Sequence, residues 1–196
     1  VRRYLYDDIS LPLVRIPPGT GRIIPGTADR WAVAEDGRTV FFHIDVAARF
    51  PNGRKLTARD ILTALFVRTS PHCVDSVAKG EYLNNFSHIT IYGNQLVSVT
   101  LAAPRPYAPH FAAVAADCTA FYAEFGPDYP TRYQWRAAPT TGAYIPAPAE
   151  LVMGHSLALR RVQDWWAAGR RYTRHSCNVD RITYSFINEP AKIQEL

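Results

Sequence analysis

The chain has 196 residues, of which 47% are hydrophobic and 20% charged, a composition that argues against intrinsic disorder and suits one large or two small domains. Lysine and arginine number 22 against 17 acidic residues, and the net charge of +5 permits a nucleic-acid partner without requiring one. No apolar run approaches the roughly 18–20 residues that span a bilayer. The densest basic stretch, 160–181, also contains Asp164 and Asp180, so we interpret it as a solvated arginine-rich surface.

The N-terminal 28 residues are rich in proline and glycine. Apolar pairs stand between these turn formers, at Leu13-Val14 and Ile23-Ile24. The pattern predicts short extended segments joined by turns.

Residues 30–46 predict a β-hairpin. The dipeptide Asp36-Gly37 is a strong tight-turn signal, and the arm after it alternates between apolar and more polar positions. One set of its side chains is therefore expected to face the core. That set is Val40, Phe42, Ile44 and Val46.

A helix is predicted over about 58–68. Thr57 followed by Asp60 is close to a capping box, and the helix is expected to end before Ser70-Pro71. The apolar spacing predicts a buried stripe made of Ile61, Leu62, Leu65 and Phe66. Residues 71–87 show no clear pattern.

A second hairpin is predicted around the Gly93-Asn94 turn, with arms at 88–92 and 96–101. Three prolines between 104 and 109 then predict an extended linker, and residues 119–125 predict a short helix.

The last third begins with a turn-rich stretch, 126–142. Strands are predicted at 143–145, 156–162 and 180–188. Glu189-Pro190 is typical of a helix start, and the chain ends six residues later at Leu196. A helix of about one turn is marginal, so we expect the sequence to be cut from a longer polypeptide.

The sequence lacks the usual patterns of a metal centre, an activated nucleophile or a phosphate-binding loop. Its six histidines have no ligand spacing. Cys73, Cys118 and Cys177 form no CxxC motif, so one disulfide with a free thiol and three buried thiols both remain open. We expect no cofactor, no metal and no enzymatic activity.

Aromatic residues are frequent between 133 and 172. We interpret them as core and sheet packing, with a ligand-facing aromatic wall as the functional alternative. They are Tyr133, Trp135, Tyr144, Trp165, Trp166 and Tyr172.

Six motifs in collinear order resemble the family 5 extracellular solute-binding proteins, the dipeptide- and oligopeptide-binding receptors of ABC importers. Residues 24–44 are similar to the family pattern P-G-L-A-E-S-W-x-V-S-x-D-G-x-T-x-x-F-x-L, with Thr27 where leucine is common. Residues 49–61 resemble x-F-S-D-G-x-P-L-T-A-x-D-V. The other four motifs are at 89–101, 139–144, 161–166 and 179–191. The stretches 132–136 and 164–166 resemble a YejA-like branch of the family.

The resemblance implies a mixed α/β (α+β) fold of the periplasmic-binding-protein type, a class II flytrap whose two lobes close on a ligand. Residues 1–29 and 136–196 would form a discontinuous lobe I. Residues 30–135 would form an inserted α+β domain with two hairpins and a helix. The second lobe would lie beyond this chain, so the isolated chain is expected to bind ligand weakly or not at all.

The resemblance also implies where a ligand would lie. Peptide receptors of this type hold an extended ligand by strand-like hydrogen bonds. The candidate cleft residues are Leu13, Val14, Thr140, Thr141, Gly142 and Tyr144.

The implied function is the substrate-binding component of an ABC transporter. It would capture peptides or similar solutes in the periplasm or at the cell surface and deliver them to a permease. We expect a monomer without a nucleic-acid partner or direct membrane insertion, whose signal or lipid anchor lies outside this chain. The alternatives are the ligand-sensing domain of a regulator built on the same fold and, third, a hydrolase.

Overall fold

The computed structural model describes residues 9–133 and 136–186, in a mixture of strands and helices that confirms the predicted α/β class. The chain divides into two compact units, Val1–Gly142 and Ala143–Leu196. These units do not follow the predicted boundaries at 29/30 and 135/136, and the discontinuous lobe I with its inserted domain stays a prediction.

The first unit is built on a four-stranded antiparallel sheet in the order β3-β4-β6-β5. A small two-stranded sheet, β1 with β2, precedes it. The strands are β1 Val14–Arg15, β2 Ile24–Pro25, β3 Ala28–Val33, β4 Thr39–Ile44, β5 Phe86–Ile91 and β6 Leu96–Leu101.

Both predicted hairpins are confirmed, as β3–β4 and β5–β6. In the first, Gly37 has φ +66°, a conformation that glycine adopts without strain. Val40, Phe42 and Ile44 are fully buried, as the alternation predicts. The expectation for Val46 was wrong. Its side chain is 57% exposed because β4 ends at Ile44 and Val46 lies in the following turn.

The predicted helix is confirmed as α1, Ala58–Thr69. Its buried stripe is only partly as predicted. Ile61 is buried and Leu65 is half-buried, but Leu62 and Phe66 are 38% and 59% exposed. The inward face instead follows a spacing of three residues that begins at the helix start. Its members are Ala58, Ile61, Ala64 and Val67, with Asp60 beside them.

Helices that were not predicted lie within the described residues at α2 Ser76–Asn85, α3 Ala108–Phe111 and α4 Tyr129–Tyr133. Helix α2 buries none of its side chains, so no apolar stripe in the sequence announces it. Its start is nevertheless capped, because the Asp75 side chain accepts a hydrogen bond from Ala78 N. Helix α3 lies where an extended linker was expected. The predicted helix at 119–125 was wrong, since this stretch forms successive turns that begin on the carbonyl of Cys118.

A buried carboxylate joins α1 to two other parts of the first unit. Asp60 is fully buried, and its Oδ1 accepts hydrogen bonds from Arg54 Nη1 at 2.8 Å, Thr119 N at 2.8 Å and Thr119 Oγ1 at 2.9 Å. Its Oδ2 accepts from Thr57 N at 2.9 Å, as the capping-box signal predicts, and from Thr57 Oγ1. The one acidic side chain thereby satisfies donors from three chain segments.

The second unit contains a three-stranded antiparallel sheet in the order β7-β8-β9. The strands are β7 Tyr144–Pro146, β8 Ser156–Arg161 and β9 Arg181–Ser185, with a 3₁₀ turn at Pro148–Glu150. All three predicted strands are therefore confirmed within the described residues. The end of the predicted strand at 187–188 and the predicted helix from Glu189 lie outside them.

Most of the aromatic residues pack inside, as the packing interpretation predicts. Tyr133 is 2% exposed and stacks with Tyr129, and Trp165 and Trp166 are each 9% exposed. Tyr172 differs, with 44% exposure, and Trp135 lies outside the described residues. The cysteines are free thiols, of which Cys118 is buried and the other two are half-buried.

Candidate functional site

The candidate site is organised by the N-terminal segment, residues 9–14. Ile9, Leu11 and Leu13 are buried, whereas Ser10 and Pro12 between them are half-buried. Ile9 has helical backbone conformation and β1 begins at Val14, and every second side chain from Ile9 to Leu13 is directed into the first unit.

One side of the N-terminal segment is held by the chain around Gly26. The carbonyl of Leu13 accepts hydrogen bonds from Gly26 N at 3.0 Å and Ala28 N at 2.9 Å, and the carbonyl of Pro12 accepts from Thr27 N at 2.9 Å. A Cβ at position 26 would lie 2.1 Å from Pro12 O. Only glycine allows the two backbones to approach this closely.

The other side is held by the turn at residues 140–142. Gly142 N donates to Ile9 O at 3.0 Å, and the Thr140 hydroxyl donates to the same carbonyl. Thr141 Oγ1 donates to Leu11 O at 3.2 Å. A Cβ at position 142 would lie 2.1 Å from Ile9 O, so this contact also requires glycine.

A third contact completes the frame around the segment. Leu13 N donates to Val114 O at 3.3 Å, and Pro12 forms an isolated antiparallel bridge with Ala115. The turn at residues 140–142 is thus bound to the N-terminal segment, about 130 positions away in sequence.

Five of the six predicted cleft residues lie in this frame: Leu13 and Val14 on the segment, and Thr140, Thr141 and Gly142 on the turn. The sixth, Tyr144, belongs to the second unit, where its hydroxyl donates to Val179 O at 2.9 Å and its strand pairs with Arg161. All six are buried. Their role in ligand binding stays a prediction.

The sequence analysis missed Ile9, Leu11 and Gly26, which complete the frame. The alternation of apolar residues at 9, 11 and 13 could have revealed which side chains are buried, but the surrounding prolines and glycines favoured turns. The close approach at Gly26 has no local sequence signal, since it depends on which distant carbonyl lies opposite.

Two carboxylates, Asp36 and Glu150, have lowered pKa values because of hydrogen bonds within the fold. Hydrogen bonds from Thr39 and Arg38 lower the pKa of Asp36 to about 2. The hydrogen bond from Arg160, helped by Arg181, lowers the pKa of Glu150.

Within 9–133 and 136–186, no three His, Cys, Asp or Glu side chains come together in a group that could hold a metal ion. In the same ranges, no helix is long and apolar enough to cross a membrane.

A family model described as "Bacterial extracellular solute-binding proteins, family 5 Middle" matches residues 22–196. The chain belongs to this family. The resemblance drawn from the six motifs is thereby confirmed, while the YejA-like branch stays a prediction. Family 5 is a family of solute-binding receptors. The match includes Gly26 and residues 140–142 of the frame, and it begins after the N-terminal segment 9–14.

Similar proteins agree with this family. The dipeptide-binding protein of Escherichia coli K12 is 37% identical over 67 residues, which are 29% of this chain and 12% of that protein. The structure of AgaA from A. tumefaciens R10 with agropinic acid has a TM-score of 0.77 at 20% identity and covers 98% of this chain. The Escherichia coli murein tripeptide binding protein MppA has a TM-score of 0.70 at 20% identity and covers 97%.

These structural likenesses establish the fold, which is that of the periplasmic binding proteins, as predicted. The chain spans 36% of AgaA and 38% of MppA in length. This family 5 chain therefore corresponds to a little over a third of its solved relatives.

Proposed function

We propose that the chain belongs to the substrate-binding component of an ABC importer. It would take up peptides or similar solutes outside the inner membrane and deliver them to the permease, as a monomer and without catalysis. The observation that carries this proposal is the family match over residues 22–196. Location in the periplasm or at the cell surface is part of the same proposal.

The frame around residues 9–14 supports a receptor role. A receptor gains affinity when its ligand-facing wall is fixed before the ligand arrives, because less ordering is needed on binding. The Thr140 and Thr141 hydroxyls and the two close glycine contacts fix the N-terminal segment in this way. We infer that Leu13, Val14 and residues 140–142 shape the wall, and that Tyr144 serves the same purpose in the second unit.

Peptides are the ligand class we propose. The dipeptide-binding protein and the murein tripeptide binding protein are both named for short peptides. A small non-peptide acid is the second candidate, because the AgaA structure, with its TM-score of 0.77, contains agropinic acid. The two candidates differ in whether backbone amides of the ligand are needed.

The test is an NMR titration of the ¹⁵N-labelled chain with dipeptides and tripeptides, and separately with agropinic acid. We expect peptide-induced shift changes at the amides of residues 9–15 and 140–145, in fast exchange. Weak binding is expected because the chain spans little more than a third of its relatives. The Gly80→Ala variant, at a position with open space around it, should respond like the wild type.

Shift changes confined to other regions would contradict the proposed wall. A response to agropinic acid in the absence of any response to peptides would replace peptides by the second candidate. No response to either class from the full-length protein, in the same titration, would contradict both.

A further inference from the structure

A basic loop follows β8 in the second unit. We use this name for residues 165–179, which contain Arg170, Arg171, Arg174 and His175 and no carboxylate. All four of these side chains are exposed. The loop is therefore a concentrated positive region in a chain whose other arginines are mostly interleaved with acids.

The basic loop is fixed from within. Trp165 and Trp166 are 9% exposed at its start, and Thr173 in its middle is 4% exposed. The Thr173 hydroxyl donates to Ala167 O, and Thr173 N donates to Arg170 O at 3.0 Å. The arginines consequently project from a folded turn structure.

Two neighbouring acids, Asp180 and Glu150, are engaged by other arginines. Asp180 accepts a hydrogen bond from Arg161, and Glu150 accepts from Arg160 Nε at 2.6 Å and lies 3.0 Å from Arg181 Nη2. These pairs neutralise the arginines of strands β8 and β9.

Two arginines of the basic loop remain without a carboxylate. Among the residues that the structure describes, Arg171 and Arg174 form no ion pair. The positive charge of the loop is thus directed to solvent, where a partner can reach it.

An exposed aromatic ring accompanies this charge. Tyr172 is 44% exposed, and the guanidinium carbon of Arg171 lies 5.4 Å from the centre of its ring. Tyrosine beside arginine is typical of segments at a membrane–water interface, where the ring lies at headgroup level and the guanidinium groups bind phosphate. An acidic protein surface is the competing partner, and the test below distinguishes it from a lipid surface.

We propose that the basic loop binds the surface of bilayers rich in anionic phospholipid, with Arg171 and Arg174 on the headgroup phosphates and Tyr172 between them. Such contact would hold the protein near the membrane that contains its permease. The inference does not depend on which solute is bound, so it can fail while the proposed function stands, and the reverse.

The test is co-sedimentation of the 196-residue chain with vesicles of equal parts phosphatidylglycerol and phosphatidylcholine, against vesicles of phosphatidylcholine alone. Each basic side chain near an anionic surface contributes roughly fivefold to partitioning, so Arg171→Gln/Arg174→Gln should weaken binding about 25-fold. Arg171→Lys/Arg174→Lys should retain most of it. Binding should also fall steeply between about 0.05 and about 0.5 M salt.

The matched control is Arg22→Gln/Arg59→Gln, which removes the same charge from exposed positions of the first unit. It should bind nearly as the wild type does. An equal loss in this control would show a net-charge effect and overturn the proposal, as would the absence of binding to the anionic vesicles. Tighter binding to soluble polyglutamate than to vesicles, lost in Arg171→Gln/Arg174→Gln, would identify an acidic polypeptide as the partner and also overturn it.

Discussion

The two units use carboxylates in opposite ways. In the first, Asp60 is fully buried and accepts five hydrogen bonds from Arg54, Thr57 and Thr119. In the second, Glu150 binds two arginines at the surface, with 27% of its side chain exposed. Both look like the centre of a polar network.

The difference in burial decides how much each network stabilises the fold. Removing a buried carboxylate leaves its donors uncompensated in a medium of low polarity, which is costly. An exposed pair exchanges protein contacts for water and contributes little, typically below about 1 kcal/mol. The first unit should therefore depend on single polar groups, and the second should tolerate their loss.

Asp60→Ala is the variant with the largest expected effect. It should lower the free energy of unfolding by about 3–5 kcal/mol, because the half-buried donors of Arg54 and Thr119 and the start of α1 all lose one buried acceptor. Thermal and urea unfolding followed by circular dichroism would measure this.

The matched control for Asp60→Ala is Glu150→Ala, for which we expect only a small, salt-sensitive change. Asp60→Asn keeps two acceptor sites at most and should fall between the wild type and Asp60→Ala. If the losses at Asp60 and Glu150 were equal, burial would not be the property that separates the two units.

Gly142→Ala tests whether the first unit also depends on single backbone contacts. The new Cβ would lie 2.1 Å from Ile9 O, so the N-terminal segment must shift. We expect a loss of about 1–3 kcal/mol in unfolding free energy. In contrast, Gly80 has open space around it and lies in helix α2, so Gly80→Ala should stabilise by up to about 1 kcal/mol. A neutral Gly142→Ala would mean that the segment is not fixed by this contact.

Thr27→Val should stabilise the protein. Thr27 is fully buried, and among the described residues its hydroxyl has no hydrogen-bond partner. Valine has the same shape without the unpaired group, so we expect a gain of about 1 kcal/mol. Thr140→Val is the contrast, because the Thr140 hydroxyl donates to Ile9 O and its loss should cost about 1 kcal/mol. A destabilised Thr27→Val would indicate a partner for its hydroxyl, such as a buried water.

Local signals predicted most of the sheet framework. The Asp36-Gly37 and Gly93-Asn94 turns and the alternation beside them fixed both hairpins, and Thr57 with Asp60 fixed the start of α1. Helix α2 escaped prediction because it buries no side chain. The inward face of α1 was misplaced because apolar residues lie on two adjacent sides of the helix, and only the packing partner selects one.

The candidate site was less accessible from sequence. The resemblance located the turn at 140–142 and the strand at Leu13, but the bond between Thr140 and Ile9 spans 131 positions. The frame depends on close backbone approaches at Gly26 and Gly142, and a glycine in sequence does not reveal which carbonyl lies opposite it. All six candidate residues are buried, and their role in ligand binding stays a prediction.

Asp36 offers the smallest effect and a test of whether burial, rather than membership of a unit, is the deciding property. It lies in the first unit but is exposed, and it accepts hydrogen bonds from Thr39 Oγ1 at 2.6 Å, Thr39 N at 2.8 Å and Arg38 N at 3.0 Å. These bonds lower its pKa from 3.8 to about 2. Asp36 should therefore behave like the exposed carboxylates of the second unit.

A carboxylate whose pKa is depressed on folding stabilises the fold fully above its unfolded pKa and loses this contribution as the pH falls through its folded pKa. For Asp36 the contribution should be complete above pH 3.8 and disappear towards pH 2. Asp36→Asn keeps an acceptor in the turn and should flatten the acid dependence of stability in this window, while Glu35→Gln removes the same charge from the same turn without touching the three bonds. An NMR titration of the Asp36 carboxyl carbon with a midpoint near 3.8 would contradict this account. Because linkage ties the two measurements together, a midpoint near 2 requires a matching loss of stability between pH 3.8 and pH 2, whereas a midpoint only slightly below 3.8 requires a slight one. The size of the shift therefore measures whether an exposed carboxylate in the first unit contributes as little as one in the second.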